Sequence, residues 1–369
     1  MKTRNTLSRP SNADCPATSL TDRRAPDVVI IDSVTASNNR TSPLQLPAQR
    51  HEPRPRIVVV AGPTAVGKTA LGVELAVEFN GEVVNADSRY LYRGFDIGVA
   101  KPNLTERRGI PHHLIDLLPP DGEMTLARYQ DFALDAIENV LGRNKLPILV
   151  GGTPLYINAV IEGWRMPRVP PNLSLRAALE AEALANGTDT LANRLREVDP
   201  AAAERCGRNL RRIIRALEVY ETTGIPMSAQ EGKGPPPFAA LEIGLTMPRD
   251  ALYRAVDDRV RDQIARGLVA EVRSLMESGV PENAPAMSSL GYRQLVPYIL
   301  GESSLEQAIE RIRFDTHRYV RHQETWLRRN ARLIWFDVTI PDWMSSAKAR
   351  VRAFLNESVA PSPPGSCLS

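Results

Sequence analysis

Gly62, Gly67, Lys68 and Thr69 stand at the spacing G-x-x-x-x-G-K-T, directly after the apolar run RIVVVA. In such a loop the backbone N–H groups converge on a phosphate, and the N-terminus of the helix that follows adds a favourable dipole. Within the octapeptide Gly62-Pro63-Thr64-Ala65-Val66-Gly67-Lys68-Thr69, the lysine brings a point charge to phosphoryl oxygens. The Thr69 hydroxyl suits magnesium. The pattern therefore predicts a phosphate site; whose phosphate it holds is a separate matter.

A nucleotide hydrolase pairs this loop with an apolar strand ending in Asp, which holds magnesium and orients water. Here the comparable strand, PILVGGT, ends in Gly-Gly-Thr, and the segment HLIDLL offers Asp116 as the alternative carboxylate. Asp87 instead follows another predicted strand, within NADSRYLYRGFDIGVAKP (85–102). On these residues alone a small-molecule kinase or NTPase stays open.

The elements that must position these groups alternate in type. RIVVVAG is a buried strand, TALGVELAVEF (69–79) has helical apolar spacing, and GEVVNADS (81–88) is a second strand. LARYQDFALDAIENVLG (126–142) is an amphipathic helix closed by Gly142, and LPILVGGT (146–153) is a third strand. Strands alternating with helices predict an α/β fold, a parallel sheet with helices on both faces. Ligands collect at the carboxyl ends of such strands. Residues 62–69, 87–88 and 151–153 all fall there.

The proline-rich stretches MPRVPPN (166–172) and GKGPPPF (232–238) bracket a mostly helical segment. This predicts a P-loop core in two parts, 57–167 and 239–345, interrupted by a helical insertion over 168–238. LEIGLTM (241–247) is a further core strand, followed by two long helices near 250–278 and 304–330. Residues 1–56, rich in Ser, Thr, Asn, Pro and Arg, predict a disordered tail, and 346–369 a C-terminal segment with a solvated end. A transit peptide or a wrongly assigned start codon would also account for the N-terminal stretch.

The apolar fraction of 43% and charged fraction of 24% are those of an ordinary globular protein. Three scattered cysteines, Cys15, Cys206 and Cys367, argue against a disulfide framework or a zinc site and suit a reducing cytosol. No apolar run reaches the roughly 18 residues a membrane span requires. The net charge of +3 is small, so the placement of the arginines matters more than their total. Arg205, Arg208, Arg211, Arg212 and Arg215 crowd one short segment. Arg311, Arg318, His322 and Arg329 recur at helical intervals, beside Ile312, Tyr319 and Trp326. The arginines suggest phosphate contacts with a polynucleotide; the apolar and aromatic stripe suggests an ordinary core contact.

Taken in order, GPTAVGKT, ADSRYLYRGFDIGVAKP, LVGGTPLY, RALEVYETTG, LGYRQL and ETWLRR resemble the tRNA dimethylallyltransferase family, from about Ile57 to Phe336. The resemblance implies transfer of a dimethylallyl group from dimethylallyl diphosphate to N6 of the adenosine 3′ of the anticodon, with Mg2+; a cytoplasmic location follows from the cysteine usage, and a monomer is the simpler expectation. The phosphate loop then holds the departing diphosphate. Asp87 takes the base role, Lys68, Thr69 and Arg259 attend the diphosphate, and Thr153 lies near the acceptor. The resemblance further implies anticodon stem-loop contacts from Asp87, Ser88, Arg89 and Tyr90, from Arg211, Arg212 and Arg215, from Ser288, Gly291, Tyr292 and Arg293, and near Arg176. The sequence departs from the family pattern at Arg89-Tyr90, Arg211-Arg212 and Ala255. An adenylate isopentenyltransferase would use the same donor on a free nucleotide; the insertion and the basic helices favour a polynucleotide acceptor.

Overall fold

The computed structural model describes residues 54–357. Most of the predicted N-terminal tail, including the apolar run at 28–32, lies outside them, as do residues 358–369.

The centre is a sheet of eight-residue or shorter strands in the order β3-β2-β4-β1-β7-β8, every neighbouring pair parallel. β1 (Arg56–Ala61), β2 (Gly81–Asn85) and β4 (Leu146–Gly151) are the three strands expected around the phosphate loop; β3 (His112–His113) is a short edge. The first strand opens at Arg56, inside the stretch assigned to the tail. β7 (Ala239–Thr246) closes on β1 from the other side, and β8 (Ile334–Asp337) forms the second edge. β8 escapes sequence pattern because four residues are too few to show a period. A small antiparallel pair, β5 (Trp164–Arg165) with β6 (Gly232–Lys233), stands apart.

Strand β1 is buried along nearly its whole length because helices cover both faces. Val58 and Val60 point to one side and Ile57, Val59 and Ala61 to the other, the two-residue period of a strand. The Val58 side packs against α1 (Lys68–Glu78), through Leu71 and Leu75, and against α14 (Trp343–Asn356), through Ala347, Val351 and Phe354. The segment from residue 346, given no element in the sequence, carries this helix: Ala347, Val351 and Phe354 recur at helical spacing and cover the sheet, while the expected solvated end at 360–369 lies outside the described residues.

On the Ile57 side lie α3 (Leu126–Gly142) and α4 (Pro154–Ile161), while α2 (Leu104–Arg107) is a single exposed turn. The same core takes in α10 (Arg249–Ala265), α11 (Leu268–Glu277), α12 (Tyr292–Ile299) and α13 (Leu305–Leu327). The predicted helix over 250–278 is broken in two at Gly267, whose φ of 99° is a conformation glycine adopts without strain.

The insertion carries its own core. Helices α5 (Leu173–Asn186), α6 (Thr188–Val198), α7 (Pro200–Cys206) and α8 (Leu210–Thr223), with the turn α9 (Met227–Gln230), enclose Leu179, Leu191, Leu195, Ile213 and Leu217. Asn172, Asp199 and Asn209 cap the starts of α5, α7 and α8 with side-chain acceptors.

Candidate active site

The loop between β1 and α1 sits at the carboxyl edge of the sheet. Gly67 adopts φ 96°, which turns the chain into α1 at Lys68 without a Cβ penalty. Lys68 folds back so that Nζ donates to the Pro63 carbonyl at 2.7 Å. It faces a cavity yet is walled by protein, and burial lowers its pKa to about 8; Asp87 nearby raises it and Arg259 lowers it further. An ammonium held in this state gains most from an arriving anion.

Asp87 follows β2 in a turn that its own neighbours fix. The Asn85 side chain donates to the Asp87 carbonyl at 2.9 Å and accepts from the Asp87 N–H at 2.8 Å. Asn85 also donates to Leu114 O, and Tyr129 Oη donates to the Asn85 carbonyl, both at 2.9 Å. One Asp87 carboxylate oxygen accepts from the Arg89 N–H at 2.9 Å, leaving the other to face the cavity. The end of β4 lies alongside: the Ser88 N–H donates to Thr153 Oγ1 at 3.2 Å. Contact this close requires glycine, since a Cβ at Gly151 would lie 2.1 Å from the Ala86 carbonyl oxygen.

Arg259 reaches in from α10. Its guanidinium donates to Thr64 Oγ1 at 3.1 Å and to the Val99 carbonyl at 2.8 Å. The segment carrying Val99 is itself clamped. Gln263 donates to Ile97 O and Gly98 O at 2.9 and 2.7 Å, and the Glu271 carboxylate accepts from the N–H groups of Asp96, Ile97 and Gly98.

Two cavities meet at these residues. One, of about 560 Å³, is lined by the phosphate loop, Lys68, Thr69, Tyr90 and Met344. The other, of about 570 Å³, is lined by Ser88, Arg89, Thr153, Ser288, Arg293 and the inward side of α13. Thr64, Asp87, Val99 and Arg259 belong to both. A carboxylate and a guanidinium thus stand at the junction, with a phosphate cradle on one side and a wide polar and aromatic recess on the other.

The hydroxyl of Thr69 lies beside that of Tyr90, which donates to Ala100 O at 2.8 Å; burial pushes the Tyr90 phenol up to about 12, so it is neutral. No cluster of three or more His, Cys, Asp or Glu among the described residues offers a protein cage for a metal. A single hydroxyl facing a phosphate cradle matches magnesium, which keeps most of its shell as water and phosphate oxygens.

Several expected residues need correction. Tyr292 is fully buried: its hydroxyl accepts from the Gly98 N–H at 3.1 Å and donates to Glu271, so its side chain supports the 96–99 segment and has no surface to offer RNA. Gly291 is buried with it and starts α12. Arg176 and Arg215 both pair with Glu218, at 2.8 and 2.6 Å; Glu218 is wholly buried and also accepts from the Asn172 N–H at 2.6 Å. These two arginines hold the insertion together. Arg211 and Arg212 are exposed at the start of α8. Asp116 bonds Lys101 at 2.6 Å and lines neither cavity, which removes it as a partner of the loop.

The aromatic stripe of α13 is also corrected. Ile312 is core, but Tyr319 and Trp326 are 41% and 42% exposed and line the recess together with Arg318 and His322. Arg311 turns instead to Asp315 at 3.1 Å. Gln323, Gln263, Glu271 and Asn85 were not foreseen. The first three act on segments far away in sequence, and a lone Gln or Glu on a helix gives no signal of that.

A phosphate loop opening onto a second, acceptor-sized recess across a carboxylate and an arginine defines a P-loop α/β group transferase rather than a hydrolase. The family model described as IPP transferase matches residues 90–330, and the chain belongs to that family. The chain is 56% identical to a tRNA dimethylallyltransferase of Thermomicrobium roseum over 305 residues, covering 82% of this chain and 93% of that one. It is 50% identical to the Roseiflexus castenholzii enzyme of the same name, over 82% and 99% of the two chains. Among solved structures, tRNA isopentenylpyrophosphate transferase from Bacillus halodurans matches with a TM-score of 0.61 and 37% identity, covering 81% of this chain and 96% of that one. A eukaryotic dimethylallyltransferase acting on tRNA matches with a TM-score of 0.68 and 28% identity, over 82% and 79%.

Proposed function

We propose that this chain transfers a dimethylallyl group from dimethylallyl diphosphate to N6 of the adenosine 3′ of the anticodon in tRNA. The observation that carries this is the shared wall of the two cavities: Asp87 and Arg259 face both. The donor's diphosphate fits the cradle of residues 65–69 with Lys68. The acceptor adenosine, unstacked from its loop, fits the recess, where Tyr319, Trp326 and Thr153 supply stacking and polar contacts.

Adenine N6 attacks C1 of the allyl group, the C1–O bond breaks, and diphosphate leaves with the bonding pair. N6 is a weak nucleophile until a proton is removed, and Asp87, on the wall shared by both cavities, is the base in this reading. Charge gathers on the diphosphate as the bond breaks, so donors already in position count most there. Lys68 and the loop N–H groups serve from within the cradle, and Arg259 from the junction. Magnesium at Thr69 would neutralise diphosphate oxygens. A cytoplasmic monomer completes the proposal.

Transfer of labelled dimethylallyl to three acceptors tests it: an anticodon stem-loop, AMP and ATP. Label on the stem-loop alone is expected. Label on AMP or ATP would make this an adenylate prenyltransferase, and nucleotide hydrolysis without transfer would return the loop to hydrolytic use.

A further inference from the structure

Gln323 is 95% buried near the C-terminal end of α13, whose inward face lines the acceptor recess. Its side chain lines that recess and also reaches the phosphate loop. Oε1 accepts from the Thr64 N–H at 2.9 Å, and Nε2 donates to the Gly152 carbonyl at 2.9 Å. The partners fix the amide's orientation, because an N–H needs an acceptor and a carbonyl a donor. Thr64 is bound at its other end too, its hydroxyl accepting from Arg259 at 3.1 Å. Gly152 has no side chain for good reason: a Cβ there would meet Gln323 Nε2 at 2.7 Å and lie 3.5 Å from Lys68 Nζ.

We propose that Gln323 is a positioning residue for the donor site: from the acceptor helix it sets the phosphate loop through Thr64 and the end of β4 through Gly152. This rests on the phosphate loop holding diphosphate, and not on the identity of the acceptor. Gln323 occupies the Thr64 N–H, so the phosphate is left to the amides of residues 65–69, whose directions follow from where Thr64 is pinned. A helix that touches the acceptor thereby holds the cradle of the leaving group. Neither Asp nor Asn is long enough to make both bonds from this backbone position. Met has the length but no polar atoms to make them.

The test is binding of inorganic diphosphate with magnesium by calorimetry, to the full chain and to the variants Gln323→Met and Gln323→Glu, across pH. Losing both bonds leaves a buried N–H and a buried carbonyl unpaired, and Gln323→Met is expected to weaken diphosphate binding about tenfold at every pH. Gln323→Glu should match it at alkaline pH, where a carboxylate faces the Gly152 carbonyl. Toward about pH 5.5 a buried carboxyl, its pKa raised, takes up a proton, donates to Gly152 and accepts from Thr64. Its affinity relative to the unaltered protein should then recover to within about threefold, a pH profile that lost packing alone would not produce. In both variants the change in diphosphate affinity should exceed any change in stem-loop affinity. Equal diphosphate affinity throughout, or parallel profiles for Glu and Met, would overturn the role. Failure of the unaltered protein to bind diphosphate would overturn the cradle and this role together. Failure to modify a stem-loop would leave the role standing.

Discussion

Replacing Asp87 with Asn separates its chemistry from its architecture. The Asn85 clamp grips only the backbone of residue 87, and the Arg89 N–H finds an equivalent acceptor in an amide oxygen. The turn should therefore stand, while the oxygen that takes a proton from N6 loses its basicity. A positioned general base is worth about 10²–10⁴ in rate, or about 3–5 kcal/mol of barrier, and the single-turnover rate should fall by that much. Diphosphate binding should stay within about threefold, because one carboxylate fewer favours an anion and offsets any local loss. The comparison must be made near pH 7 or below. Asp87 raises the Lys68 pKa, so removing its charge lets that ammonium lose its proton at lower pH than about 8. Rapid quench with enzyme in excess over stem-loop measures the chemical step. An unchanged rate would refute the base role; a collapse of diphosphate binding would show that Asp87 serves the cradle instead.

Three further outcomes follow from the same geometry. Lys68 is charged below about pH 8, so diphosphate should bind without proton uptake at Lys68 at pH 6.5 and with it above pH 8; calorimetry in buffers of different ionisation enthalpy measures the difference, and Lys68→Met should abolish it and weaken both binding and rate. Trp326→Ala and Tyr319→Ala should each weaken stem-loop binding by about 1–3 kcal/mol, the range for a base stacked on an aromatic ring, and leave diphosphate affinity unchanged; fluorescence anisotropy decides. In Glu218, burial pushes the carboxyl up, but bonds from Arg176, the Asn172 N–H and Arg215 outweigh it and hold the pKa below the usual range. Its stabilisation is thus present above the unfolded carboxylate pKa of about 4.3 and is lost as pH falls through the lower folded value; Glu218→Gln should cost about 3–5 kcal/mol in urea unfolding of the insertion.

The parts of the fold that are legible in the sequence are those with a local signature. β1, α1 and the phosphate loop declare themselves by an apolar run, a glycine pair and a lysine within a few residues. The helix at 126–142 is visible in its 3.6-residue spacing and closing glycine. The edge strand β8 is too short, and α14 is given no element in the sequence, although Ala347, Val351 and Phe354 lie against the sheet. The site divides along the same line. Lys68, Asp87 and Arg259 come together as the motifs lead one to expect. Tyr292 carries the same motif weight as Arg293, yet one residue's rotation on α12 buries it while Arg293 reaches the recess. Tyr319 and Trp326 go wrong in the opposite direction, because a helical stripe does not say whether what faces it is protein or space. Gln323 lies beyond sequence reasoning altogether, since its two bonds join residues 259 and 171 positions away.

The chain leaves for the helical insertion beside the point where it comes back. Trp164 and Arg165 are paired rung for rung with Lys233 and Gly232, so exit and return are one strand spacing apart. Residues 166 to 231 join the core at this neck and through Arg168, which bonds Ala127 and Asp131 on α3, and own a separate apolar interior. The sheet pays nothing for its size: shortening, lengthening or exchanging the appendage leaves the same gap to bridge. A lineage can remodel the appendage at the far end of the neck while the residues around the two cavities stay where they are.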